Sequence, residues 1–437
     1  MTLKVVKRQG VLLQEAKEFV EVGTRYGFAN PQSMAQGAYQ GKHTVVNGMN
    51  TIDLTRLDYL SLGTCATVKQ IMKDCIDVCN VSCPTSRMAL RSESDVRLDK
   101  ALAEFHGMAD SVTFLSGYSA NENIIQALAL RMKTAHFAPY IRETGMGTES
   151  AHIPTEFFVD EESHHSLIST IKSARIKLKE RCVYHRFPTA DYDRLVELLE
   201  ASHKKLGDNS IRVIVSDTVS SMSGRLYDVR ALCGIAEDHD CYLYLDEAHA
   251  IGTVGNEGRG LASELPDFER FKDRLIIMGT LTKAASQLGG YVAVPDADLS
   301  SFFRVCSPHY IFSAPVSPWM AEAIIRIMDL IKGDYGKDER KKLAAVSAHL
   351  RGGLVAEGFD ILGSNSQIVP VLMGEEEKGA RAKDFLEKNG FTSSLFMCPA
   401  VPKGKSILRF SLCSDITLEE TDNVIKLLVD ARDRFHF

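Results

Sequence analysis

A chain of 437 residues, 45% hydrophobic and 25% charged, is long enough for two domains around a large core. Its net charge of −6, with no basic or acidic tail, gives no footing for a nucleic-acid or other polyanionic partner. No run of about 18 apolar residues exists to span a membrane, and the polar, periodic start MTLKVVKRQGVLLQEAKEF is not a secretory signal.

In chain order, residues 1–57 read as an N-terminal segment, a helical arm followed by a Gly/Gln-rich connector. Cys75, Cys79 and Cys83 recur at a spacing that puts them on one helix face. No histidine joins them and Pro84 follows at once, so core packing is the reading and no metal is expected. The ten cysteines, without paired metal spacing, suggest free thiols in a reducing cytoplasm. Residues 58–315 read as a large domain in which strands and helices alternate. Strands are expected at 111–115, 156–160, 212–217, 241–246, 274–279 and 291–294. Between them lie helical patterns such as DRLVELLEASHKKL, with Leu195, Leu198 and Leu199 at helical spacing. Short apolar strands separated by helices imply an α/β fold with a mostly parallel sheet covered on both faces. Residues 316–437 read as a smaller α+β domain. It has helices over 317–332 and 337–357, strands in QIVPVLM and SILRFSL, and a last helix from Leu418. Thr417 and Glu420 make a capping box there, and Val424, Leu428, Ala431 and Phe435 form one stripe.

Ligands of open α/β sheets sit at the carboxyl ends of strands. Five such ends carry chemistry. Ser116-Gly117-Tyr118 ends a strand and opens a helix, an anion-binding arrangement that Thr280 extends with a hydroxyl. His164, after the strand at Asp160, suits stacking on a flat ring. Asp217 and Ser221 follow a third strand. Asp246 ends a fourth, three residues before His249, and needs a cationic partner there. Lys283, in GTLTKAASQLGGY, stands in a charge-poor stretch that suits a desolvated amine of lowered pKa. Singly, each feature has a plain structural reading: a strand-end cap, a turn, a snorkelling lysine. Together they supply an amine, a ring-nitrogen carboxylate, a phosphate cradle and a stacking imidazole, the set that pyridoxal 5'-phosphate requires.

The chain resembles the α-oxoamine synthases of the fold-type I pyridoxal-phosphate enzymes. The resemblance runs from Asp58 to the C-terminus. It rests on DYLSLG, TSRMAL, LAEFHG, SGYSAN, DEESHHS, SSMSG, LDEAHAIGTVGNEGRG, GTLTKAASQLGGY, YIFSAP and PAVPKGKSILRFSL, which fall in that family's order. It implies a seven-stranded, mostly parallel sheet in the large domain. Lys283 is then the Schiff-base lysine and α-proton base, Asp246 the pyridinium partner, and His164 the ring-stacking residue. His249 sits near the cofactor's phenolic oxygen and Ser221 beside the cofactor. Ser116, Gly117, Tyr118, Asn121, Asp217 and Thr280 complete the cofactor site. Ser313 and Ala314 reach the partner subunit's phosphate, which implies a homodimer with shared sites. Arg409 holds the amino-acid carboxylate, with Asp58 and Tyr59 beside the substrate. The family reaction condenses an amino acid with an acyl-CoA to give an α-amino ketone.

Departures from the family pattern are SCPTSRMAL where glycine-rich sequence is usual, and CSDIT with Asp415 and Thr417 near the end. The stretch 135–156 is also longer than the family pattern leads one to expect. Its composition fits either an active-site lid or a surface insertion. The C-terminal third, from NSQIVPVLM to CSDIT, is most similar to the α-hydroxyketone quorum-signal synthases. That similarity implies a medium-chain acyl-CoA joined to a small amino acid or S-adenosylmethionine.

Overall fold

The computed structural model describes residues 8–26, 35–46, 48–131, 139, 143–144 and 153–437. Most of the 135–156 stretch lies outside the described residues. A helix over Arg8–Tyr26 precedes three strands, β1 (Ala35–Gln40), β2 (His43–Val46) and β3 (Met49–Asp53). The central strands are β4 (Asp110–Phe114), β5 (Thr155–Asp160), β6 (Cys182–Phe187), β7 (Ile211–Asp217), β8 (Tyr242–Asp246), β9 (Leu275–Thr280) and β10 (Gly290–Val294). Four more follow: β11 (Ile368–Gly374), β12 (Phe391–Thr392), β13 (Ser394–Phe396) and β14 (Ser406–Ser411).

The seven central strands form one sheet in the order β4-β10-β9-β8-β7-β5-β6. Only β10 runs against its neighbours. Period-two alternation explains how an almost continuously apolar strand serves two layers. Phe157, Val213, Val215, Tyr244, Ile276 and Met278 face one core, with Ile124, Leu128 and Ile171 from covering helices. Phe158, Ile214, Leu243, Leu245 and Ile277 face the other, with Leu195, Leu199 and Leu232. The expected fold-type I sheet is therefore present.

Strand β6 is the one central strand the sequence reading omits. It is an edge strand whose middle residues Val183, Tyr184 and His185 are only partly buried, with Arg186 exposed, so no clean apolar alternation marks it. The Gly/Gln-rich connector is also corrected. It contains β1–β3, which join β12 in a four-stranded sheet. The Asn47-Gly48 pair between β2 and β3 is a hairpin signal that the connector reading overlooked. The shared helix face for three cysteines does not form. The helix Ala66–Val78 carries Cys75, but Cys79 already has extended dihedrals at its end and Cys83 lies beyond.

The C-terminal elements follow the expected order, with helices Pro318–Lys332, Asp334–Ala356 and Leu418–Phe435, the last capped reciprocally by Thr417 and Glu420. Strands β11, β14 and β13 form an antiparallel sheet. Residues 54–59 are stitched to the end of β14. Ser411 N–H donates to the Leu54 carbonyl at 2.7 Å and Ser414 N–H to that of Tyr59 at 2.9 Å. The Arg56 guanidinium meets the Asp415 carboxylate at 2.6 Å. Among the described residues no helix is long and apolar enough to cross a membrane.

Gly290, the first residue of β10, lies directly against the turn after β4. A Cβ there would stand 2.4 Å from the Gly117 nitrogen and 2.5 Å from the Ser116 carbonyl carbon. Both neighbours are backbone and have nowhere to go. Gly290→Ala is expected to destabilise the fold by about 1–3 kcal/mol. Chemical denaturation of the purified variant measures this, and wild-type stability in that variant refutes the close packing.

Candidate active site

Strands β4, β5, β7, β8 and β9 end on the same edge of the sheet, and the residues after them close around a cavity of about 250 Å³. Its wall brings together Ser116, Gly117, Tyr118, Asn121, His164, Asp217, Asp246, His249, Thr280 and Lys283. Ala248, Met278 and Thr282 line it as well and were not anticipated. Thr282 had a readable signal, since it stands two residues from Thr280 in the same GTLTK stretch.

The β4 end supplies an anion cradle. Ser116 caps the helix Gly117–Leu130 and its Oγ accepts from the Ser119 N–H at 3.1 Å. The first-turn N–H groups have no partner inside the helix and favour negative charge. A Cβ on Gly117 would stand 3.3 Å from both Cβ and Oγ1 of Thr280, so glycine brings the two walls together. The Thr280 hydroxyl lies 2.8 Å from that of Thr282, which puts two hydroxyls beside the cradle.

The opposite end holds the acids. Asp217 and Asp246 are register partners on parallel β7 and β8. Burial, and then the neighbouring Asp246, push the Asp217 carboxyl well above the ordinary carboxylate range. Asp246 is 4% exposed and receives hydrogen bonds from Asn121 Nδ2 at 2.8 Å and the Ala248 N–H at 3.0 Å. Asn121 is itself held by the Tyr244 hydroxyl, which donates to its Oδ1 at 2.7 Å. The same amide donates to Ser166 Oγ at 2.9 Å, and Ser166 Oγ lies 2.7 Å from His164 Nδ1. One chain of hydrogen bonds thus orients both the acid and the ring. Tyr244 and Ser166 had gone unnoticed, although Ser166 is two residues from His164.

Burial lowers the pKa of His164, with Lys283 adding to that and Asp246 opposing it. A neutral imidazole is the form best suited to lie against a flat ring. His249 is pushed well down by burial and by Lys283, Arg409 and His164. Its Nδ1 is 2.6 Å from the Tyr59 hydroxyl, which burial keeps protonated. This short contact engages Nδ1 and leaves Nε2 as the ring nitrogen free to face the cavity.

The Lys283 amine is enclosed, although part of the residue remains open to the cavity. Burial brings its pKa down from 10.5 to about 8, against the pull of Asp246 and Asp217 and with help from Arg409. At neutral pH about a tenth of such an amine is unprotonated, far more than for an ordinary lysine, and that form can act as nucleophile and proton acceptor.

Six of the candidate residues lie off the cavity wall. Tyr59 is fully buried and braces His249. Asp58 accepts from the Leu62 and Gly63 N–H groups at 2.9 and 3.0 Å and from the Ser286 hydroxyl, so it ties down the loop just after Lys283. Ser313 and Ala314 follow the short helix Pro308–Phe312, and the Ser313 hydroxyl turns back to the His309 carbonyl. Ser221 offers its carbonyl to Arg409 Nη1 at 2.7 Å. Arg409 is 9% exposed and stacks on the Phe396 ring at 4.6 Å. Its Nε has no hydrogen-bond partner, and no carboxylate pairs with it among the described residues. A missed residue supports it from behind. Glu162 accepts from the Ser220 and Ser223 hydroxyls at 2.6 and 2.7 Å, which holds the loop that presents the Ser221 carbonyl.

The residues present fit pyridoxal phosphate. A glycine-lined anion cradle, a buried carboxylate and a buried amine of lowered pKa surround one cavity, with an imidazole on its wall. The family model for aminotransferase class I and II matches residues 50–428. An 8-amino-7-oxononanoate synthase from Geobacter sulfurreducens is 31% identical over 384 residues, 88% of each chain. The 2-amino-3-ketobutyrate coenzyme A ligase of Escherichia coli is 25% identical over 421 residues, 96% of each chain. A serine palmitoyltransferase from S. paucimobilis, solved with a bound PLP–myriocin aldimine, shares the fold with a TM-score of 0.79 at 21% identity, over 99% of both chains. With a family match over most of its length, the chain belongs to the aminotransferase class I and II family of pyridoxal-phosphate-dependent enzymes, among relatives of the α-oxoamine synthase type.

Proposed function

We propose that this chain is an α-oxoamine synthase that condenses an acyl-CoA thioester with an amino acid. The observation that carries the reading is Arg409. A buried guanidinium with an unpartnered Nε and no carboxylate, close enough to lower the pKa of Lys283, is a seat for the carboxylate of an amino acid. Bound in the cavity, pyridoxal phosphate supplies an electron sink that makes the α-proton of that amino acid acidic. The first turn at Gly117 and Tyr118, with Thr280, would hold its phosphate, and Asp246 a proton at its ring nitrogen. The His164 imidazole would lie along its face, and His249 would present its Nε2 side. Lys283, as a neutral amine, would take that α-proton, and the acyl group of the thioester would pass to the α-carbon with CoA as the leaving group.

The named relatives favour a condensation of the 8-amino-7-oxononanoate, 2-amino-3-ketobutyrate or sphingoid-base type. The signal-synthase reading has no counterpart among them and rests on the 365–417 resemblance alone. We also propose a cytoplasmic homodimer, with Ser313 and Ala314 turned toward the partner's site. Those two residues lie off the cavity of their own chain, as that role requires.

A matrix of amino acids against acyl-CoA lengths, scored by CoA release and product mass, tests the activity. CoA release is expected only with both substrates and is lost in Lys283→Ala by about 100-fold or more. Keto-acid formation without CoA release identifies transamination instead, and a medium-chain preference selects the signal-synthase reading.

The amine also predicts a pH profile. Below about pH 8 the ammonium form dominates, so the rate at which apoenzyme takes up cofactor falls about tenfold per pH unit; above it the rate levels off. Stopped-flow absorbance checks this, and a midpoint near 10.5 contradicts an enclosed amine.

Glu162→Gln is expected to raise KM for the amino acid roughly tenfold while kcat and cofactor absorbance change less. A loss of thermal stability with unchanged KM assigns Glu162 a purely structural role.

A further inference from the structure

A second cavity, of about 230 Å³, opens where the helix Asp334–Ala356 passes the loops around Val254 and Ser366. Its wall is half apolar, with Leu226, Val254 and Leu343, and half polar, with Ser347, Arg351 and Gln367. Among the described residues no acidic side chain lines it, and Arg351 is the single cation on its wall. One of its nitrogens donates to the Ser366 carbonyl, burial lowers its pKa, and no carboxylate counters that effect. Ser347 is 2% exposed and its hydroxyl has no hydrogen-bond partner. Asn365 accepts from the Leu226 N–H at 2.7 Å, which leaves its amide N–H groups as further donors. Arg351 is half-buried, and the fully buried Ser347 hydroxyl on the same wall is costly unless a hydrogen-bond partner meets it.

We propose that this cavity binds a short-chain monocarboxylate. One cation matches one negative charge, which disfavours phosphate and dicarboxylates. The bidentate fork of arginine suits a carboxylate. The Leu226, Val254 and Leu343 side chains give a short alkyl tail an apolar place, and the volume limits its length. The site stands one hydrogen bond behind the catalytic cavity. Gln367, on its wall, donates to the His249 carbonyl at 2.8 Å, and Thr253, also on its wall, donates to the same carbonyl at 2.8 Å. A ligand in this cavity therefore touches the groups that hold the His249 backbone.

Isothermal titration of the holoenzyme with butyrate, succinate and phosphate tests the site. Butyrate is expected to bind more tightly than either of the others. Arg351→Gln is expected to weaken it about tenfold or more. Ala344, on the wall but exposed, offers a second variant that leaves the charge in place, and Ala344→Leu is expected to weaken binding by crowding the cavity. The Arg409→Gln holoenzyme separates this site from the amino-acid site, and butyrate binding should survive there. The proposal is overturned if butyrate does not bind, if phosphate or succinate binds better, or if binding follows Arg409 and ignores Arg351 and Ala344.

Discussion

Everything at this site depends on keeping one amine and two acids together out of water. Lys283, Asp217 and Asp246 share a small enclosure, and desolvation is the largest influence on the pKa of Lys283 and of Asp217. Desolvation alone disfavours every charge. The fold answers with hydrogen bonds directed at the charge it retains. Asn121 and the Ala248 N–H hold Asp246, while burial and the neighbouring Asp246 push the Asp217 carboxyl upward and the His164 backbone N–H donates to it at 3.1 Å. Both acids are thus oriented by donors of the fold.

That enclosure exists because strand ends converge. Most groups on the cavity wall stand at, or a few residues past, the ends of five strands, so their positions are set by the sheet. The helices and loops then lock side chains in pairs: Tyr59 with His249, Ser166 with His164, Asp58 with the loop after Lys283. The bracing groups carry no chemistry and still decide which ring nitrogen is left to face the cavity.

Much of this was legible in the sequence. Apolar strands with Asp, His or Lys just past their ends gave away the sheet and the cavity wall, because strand periodicity and strand-end chemistry are local signals. Tertiary partnerships were not legible. Glu162 meets Ser220 and Ser223 across 58 and 61 residues of chain, and nothing in DEESHH announces it. Tyr59 and Asp58 stood out as motif residues. Their work as braces appears only once Tyr59 is seen to be fully buried and the Asp58 oxygens are seen to be occupied. Strand β6 escaped because an edge strand need not alternate, and the place of β3 beside β12 because the two lie more than three hundred residues apart.

The stitched segment 54–59 has a mechanical meaning. It is zipped to the end of β14, follows β3 in a sheet that includes β12, and ends on Asp58 and Tyr59. One short strap thus fastens the C-terminal sheets to the Lys283 loop and to His249. Arg409 lies on β14, so the strap puts that guanidinium and the braces of Lys283 and His249 on one continuous run of chain and hydrogen bonds, and a change at either end reaches the other through six residues.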